Sequence, residues 1–293
     1  MVEQTAPCRL FVILARRSPV AAVLRRGPSK WVQLSAWDTS TDTIERGQWF
    51  RGRIYERRCD LSPDGRLFLY FAQKISAHSL ADKDYTYAWT AISKLPYFTA
   101  LALWPKGDCW HGGGLFTSSR EVWLNHRPDV AVPHPAHKPR GLKITPNPDA
   151  RGEDEPVYQA RRLRDGWVRT QAGSFHPRGR RGGWAADRPE IWVRPNRANT
   201  HQLVERLEGI DYERFGGMRV LRFSIQPISG GNEQPLDGVE WADWDHRDRL
   251  LFARKGVLFA LEPNYETMNV RIVVDLNSER PVGVAAPSWA SDW

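Results

Sequence analysis

Apolar residues along this chain fall into short runs broken by turn-forming residues, with little of the three-to-four spacing of an amphipathic helix. Residues 10–15, 20–24 and 31–37 read as strands, divided by Arg16-Arg-Ser-Pro19 and Arg25-Arg-Gly-Pro28, so the chain opens as an antiparallel meander. The pattern returns at 66–73, 98–104, 121–124, 190–193, 218–223, 249–254, 257–261 and 270–275. Tight turns between such neighbours favour up-and-down sheets, a propeller or a closed barrel, over a parallel α/β plan. Two stretches break the rhythm. Residues 128–156 carry Pro128, Pro133, Pro135, Pro139, Pro146, Pro148 and Pro156, too many for a sheet ladder, and predict a long surface loop. Residues 199–215 predict a helix: Asn199 can cap, Gln202 sits at the capping-box position, and Leu203, Leu207 and Ile210 share one face.

One turn recurs. Asp60-Leu-Ser-Pro-Asp-Gly-Arg-Leu-Phe-Leu-Tyr-Phe-Ala72 aligns with Asp243-Trp-Asp-His-Arg-Asp-Arg-Leu-Leu-Phe-Ala253, which puts Asp243 on Asp60, Asp248 beside Gly65, Arg249 on Arg66 and Leu250 on Leu67. Pro63 presets φ at the second turn position, Asp64 and Gly65 supply left-handed backbone, and an apolar strand follows. A repeated turn-plus-strand unit points to a repeat architecture. Ser-Pro-Asp-Gly before an apolar strand resembles the signature turn of TolB-like β-propeller repeats. The match is good over residues 60–72 and loose over 243–253, with weaker echoes at Trp104-Pro-Lys-Gly107 and Leu163-Arg-Asp-Gly166. The resemblance and the four turns imply an all-β chain: a single β-propeller domain over residues 1–293, with about five irregular blades, one inserted short helix and a Pro-rich loop. Asp60, Pro63, Asp64, Gly65, Asp243 and Asp245 are then structural turn residues.

Composition narrows the classes. At 293 residues, 41% hydrophobic and 26% charged, the chain is globular rather than disordered. Fourteen tryptophans suit strands packed against one another. The formal charge is +8, and much of the excess is local: residues 9–58 and 161–183 are rich in arginine. Arginine forks match phosphate geometry, so Arg16, Arg17, Arg25, Arg26, Arg178, Arg180 and Arg181 are candidates for a polyanion-binding surface, nucleic acid included. Three cysteines without a close pair support neither a disulfide framework nor a zinc finger. With no leader-like start and no apolar run near the roughly 20 residues that span a bilayer, a cytoplasmic protein off the membrane is expected.

Catalytic motifs are sparse. His111-Gly-Gly-Gly114 resembles the oxyanion-hole run of lipases and esterases, but no Gly-x-Ser-x-Gly elbow accompanies it, so a glycine-rich hairpin loop is expected. No phosphate-binding loop or dinucleotide fingerprint is present, so no cofactor is expected. His126, His134 and His137 lie close enough to hold zinc, yet the prolines around them favour a solvated loop and no metal. Asp38, Asp60, Glu121, Glu190, Asp237, Glu240, Asp243 and Asp245 could supply a glycosidase pair across blades. Turn carboxylates usually bond neighbouring amides instead. The expectation is therefore a non-catalytic intracellular scaffold that presents loops to a protein partner. Alternatives are a propeller hydrolase acting on a carbohydrate or ester, and a nucleic-acid binder using the arginine-rich stretches.

Overall fold

The structure, a computed structural model, describes residues 8–27, 30–179, 182–212, 218–265 and 268–293. Its described residues are mostly β-sheet, in five sheets that follow one another along the chain. They divide into two compact units, one running up to Arg161 and including Leu276–Trp293, the other spanning Arg162–Asp275.

The first unit begins with a four-stranded antiparallel sheet, β1 (Arg9–Leu14), β2 (Val20–Arg26), β3 (Trp31–Asp38) and β4 (Thr43–Arg51), as the apolar runs predict. The second sheet is built on β7 (Leu67–Gln73), flanked by β5 (Arg53–Ile54) and β6 (Asp60–Leu61) on one edge and continued by β8 (Ala88–Lys94) and β9 (Ala102–Pro105). The third holds β10 (Gly114–Ser118), β11 (Glu121–Leu124) and β12 (Lys143–Pro146), and β12 runs parallel to β11. Leu24, Leu34, Leu61, Phe68 and Tyr70 bury one core, and Trp104, Phe116 and Leu124 another. A Cβ on Gly65 would lie 2.7 Å from the Val20 side chain, so the turn before β7 is wedged against the first sheet.

The second unit carries β13 (Val168–Gln171), β14 (Ser174–Pro177), β15 (Trp184–Pro195), β16 (His201–Asp211), β17 (Met218–Pro227) and β18 (Gln234–Leu236) in one sheet, and β19 (Trp241–Trp244), β20 (Leu250–Arg254), β21 (Val257–Leu261) and β22 (Val270–Asp275) in another. Trp192, Leu203, Phe223, Trp244 and Leu250 share its core.

Three sequence expectations are corrected. Where a helix is expected at 199–215, His201–Asp211 form strand β16 and residues 199–200 belong to the turn before it, residues 213–215 lying outside the described residues. Pairing on both sides, with β15 and β17, outweighs its helix-compatible composition. The proline-rich stretch is not only loop, since it contributes β12 and the start of a helix. Besides α1 (Ala77–Ala81), the described residues form α2 (Glu155–Arg164), in which Pro156 lies in the first turn, where a missing N–H costs nothing. Gly166, expected in a strand turn, instead ends α2. Its φ is +88°, its N–H donates to Leu163 O, and Trp167 N–H donates to Arg162 O, as in a Schellman ending.

Candidate cleft in the second unit

The turn joining β15 to β16 is held from several directions. Asn199 N–H donates to Asn196 O and closes the turn, with Asn199 itself in left-handed backbone at φ +54°, a region asparagine tolerates better than most residues. The buried Asn196 side chain accepts from the amides of Thr200 (2.9 Å) and His201 (3.1 Å). The Asp248 carboxylate accepts from the amides of Arg197 (2.6 Å) and Ala198 (2.9 Å). Tyr265 donates its hydroxyl to Asp248 O and packs edge-on to His201, with ring centroids 4.5 Å apart. Trp244 stands behind Tyr265 at 5.4 Å and donates its indole N–H to Arg194 O (2.9 Å).

This braced turn forms one wall of a cleft of about 490 Å³, lined by Asn199, Thr200, His201, Ile225, Pro227, Ser229, Gly230, Gln234 and Tyr265. The lining combines amides, hydroxyls and an imidazole with the apolar Ile225 and Pro227 and contains no carboxylate. Burial pushes the Tyr265 phenol up to about 12, so Tyr265 is a fixed donor and not an acid or base near neutrality. A concave site with a preorganised polar rim can recognise a ligand without losing much freedom in its own groups.

Asp248 belongs to the repeated turn. Gly65 N–H donates to Ser62 O (2.9 Å) and Asp248 N–H to Asp245 O (3.2 Å), and both residues have positive φ, +76° and +58°. Asp64 and Asp245 act locally: Asp64 accepts from Ser62 Oγ (2.6 Å), and Asp245 accepts from the amides of Arg247 (2.8 Å) and Arg249 (2.9 Å) and from Arg249 Nε (2.8 Å). Asp60 and Asp243 do not act only within their turns. The fully buried Asp60 accepts from Phe116 N–H (2.7 Å), joining the second sheet to the third. Asp243 accepts from Arg194 and from Trp244 N–H, and burial pushes its carboxyl up while Arg194 opposes that shift.

The candidate arginines separate. Arg25 is buried, donating to the carbonyls of Gly27, Leu276 (3.0 Å) and Glu279 (3.2 Å) and lying over Trp49, so it holds the C-terminal segment to the first sheet and is withdrawn from any polyanion surface. Arg26 donates to Ile54 O (3.3 Å) and faces Glu56 at 3.8 Å. Arg16, Arg17 and Arg178 are exposed, whereas Arg180 and Arg181 lie outside the described residues.

Two amides of the His-Gly-Gly-Gly run are already engaged. Gly112 N–H bonds Asn125 O (3.0 Å) and Gly113 N–H bonds Thr90 Oγ1 (2.9 Å). His126 is not in a solvated loop: it is fully buried, its Nε2 lies 2.7 Å from Thr90 Oγ1, and burial lowers its pKa to about 3. His134 stacks on Tyr85 at 4.2 Å, with His137 Nε2 3.3 Å from the Tyr85 hydroxyl. Among the described residues no group of three or more His, Cys, Asp or Glu side chains could hold a metal ion, and no helix is long and apolar enough to cross a membrane.

The cleft itself was invisible in the sequence, because its lining comes from four separated stretches. The one usable signal was the turn-forming run Pro195-Asn-Arg-Ala-Asn-Thr200 between two apolar runs.

No family model matches the chain. No curated protein matches it either. A solved structure, the uncharacterized protein lmo1340 from Listeria monocytogenes EGD-e, aligns over 94% of this chain and 86% of its own at 10% identity, with a TM-score of 0.31; at that level it carries no argument about fold or function.

Proposed function

We propose that this protein is a non-catalytic binding scaffold, a β-propeller of about five irregular, TolB-like blades, that presents the cleft walled by residues 196–201 to a macromolecular partner. The observation that carries this reading is the placement of the acids. Asp60, Asp64, Asp243 and Asp245 are engaged by backbone amides, a hydroxyl or arginines, and none of them lines the cleft beside the β15–β16 turn. A glycosidase needs two carboxyl groups facing one cleft. Five successive sheets, including two four-stranded antiparallel meanders, support the propeller. Three cysteines without a disulfide accord with a cytoplasmic location.

A photo-crosslinking residue at Ser229, on the cleft rim, tests the reading in the source cell, with the same residue at exposed Ile272 as control. A discrete adduct from position 229 that is missing at 272 is expected. Equal adducts at both positions, or none at 229, would remove the cleft as the docking site.

A further inference from the structure

At one end of the first unit, turns from its three sheets touch one another. Arg17 N–H donates to Pro63 O (2.8 Å), tying the β1–β2 turn to the β6–β7 turn. Arg16 Nη2 donates to the carbonyls of Phe116 (3.0 Å) and Thr117 (3.4 Å), tying it also to the end of β10. Lys143 N–H donates to Arg120 O (2.8 Å), bringing the start of β12 to the β10–β11 turn. Arg17, Arg66, Arg120 and Lys143 are all exposed along this rim. Carboxylates lie along this rim as well: Asp38 pairs with Val20 at the β1–β2 turn, Glu45 lies against Tyr97, Asp64 is 3.9 Å from Arg66, and Glu121 is 3.2 Å from Lys143. Exposed pairs of this kind contribute little and leave the cations open to exchange of partner.

The rim also carries an aromatic platform. Leu95 N–H donates to Arg66 O (3.3 Å), and the preceding Lys94 donates its ammonium to Trp289 O (2.7 Å). Trp289 is 50% exposed, with its ring edge-on to Tyr97 at 5.5 Å. A half-exposed indole is ordinary by itself, but beside a row of cations it offers a ring on which a nucleobase attached to a phosphate chain can stack.

We infer that this rim binds single-stranded nucleic acid, with Arg17, Arg66, Arg120 and Lys143 on phosphates and Trp289 stacked on a base. The site is separate from the cleft and does not depend on it. It reads no sequence, because backbone charge and stacking are common to all bases.

Fluorescence anisotropy with the full chain and a labelled oligothymidylate of about 20 nucleotides tests this. Four neutralised phosphates on a single strand give a log–log salt slope of about −2.8, so raising salt from about 50 to about 200 mM should weaken binding roughly 50-fold. The triple variant Arg17→Gln, Arg66→Gln, Arg120→Gln should flatten the slope to about −0.7, and Arg→Glu at the same three positions should abolish binding. Should the triple variant fail to fold, each single Arg→Gln variant should reduce the slope by about 0.7. Trp289→Ala should weaken binding about tenfold at every salt concentration. No binding at low salt, an unchanged slope in the folded triple variant, or unaltered affinity in Trp289→Ala would overturn the assignment. So would equal binding of a duplex, or competition by polyglutamate as strong as by the oligonucleotide.

Discussion

The turn at 62–65 and the turn at 245–248 share a hydrogen-bond pattern and a left-handed fourth residue, yet they serve different ends. In the first, Gly65 is buried against Val20 and Ser18, and the space a side chain would need is closed. In the second, the equivalent position holds Asp248, whose carboxylate reaches two amides of the cleft wall. One copy uses the left-handed residue to bring two sheets together; the other uses it to brace a loop. A repeated local geometry therefore does not specify a repeated role. The neighbour facing the turn decides whether the position must be glycine or can carry a side chain.

Exchanging the two residues breaks the comparison most strongly. Gly65→Val combines positive-φ strain with a clash against Val20 and should lower stability by about 3 kcal/mol in urea denaturation. Gly65→Asp copies the second turn and should still cost about 2 kcal/mol, because Val20 and Ser18 leave it no room. Asp248→Gly relieves the backbone but removes two charge-assisted hydrogen bonds, for a net loss of about 1.5 kcal/mol. Its clearer mark is local: the amides of Arg197 and Ala198 should lose hydrogen-exchange protection while those of the 62–66 turn keep theirs. Equal stability costs for Gly65→Asp and Asp248→Gly, with no local change in exchange, would erase the distinction.

A pH-dependent effect belongs to the first unit. His126, in the first unit, has its pKa lowered from 6.5 to about 3 by burial. Below pH 6.5 the unfolded chain takes up a proton that the folded chain refuses. The stability contributed by the neutral ring is therefore complete above about pH 6.5 and falls by up to about 1.4 kcal/mol per pH unit as pH drops toward 3. His126→Gln should flatten the dependence of melting temperature on pH between 4 and 6 by about one proton's worth. An unchanged slope would mean that the ring is not held neutral.

The β character was legible because the apolar runs are short and bounded by turn residues, and because Trp31, Val32, Phe68, Tyr70, Phe252 and Val257 prefer a pleated surface. Gly65 was legible because Ser-Pro-Asp-Gly specifies its backbone locally. Strand β16 was not: Gln202, Leu203, Glu205 and Leu207 suit a helix, and only the long-range ladders with Trp192 and Phe223 decide otherwise. Helix α2 was hidden by Pro156, read as a breaker although it sits where proline is tolerated. The burial of Arg25 depends on Leu276 and Glu279, far along the chain, and the bracing of the cleft wall depends on a carboxylate 51 residues from Arg197. Neither contact leaves a local pattern.

The central claim is that the acids of both repeated turns hold structure and catalyse nothing. The direct measurement is a screen of the full chain against chromogenic glycosides and esters, repeated with Asp60→Asn, Asp243→Asn and Asp245→Asn. The account predicts no turnover above background in the wild type, and melting temperatures lowered in all three variants, each losing on the order of 1 kcal/mol or more as a carboxylate acceptor becomes an amide. Turnover that vanishes in one Asp→Asn variant while its melting temperature holds would contradict it.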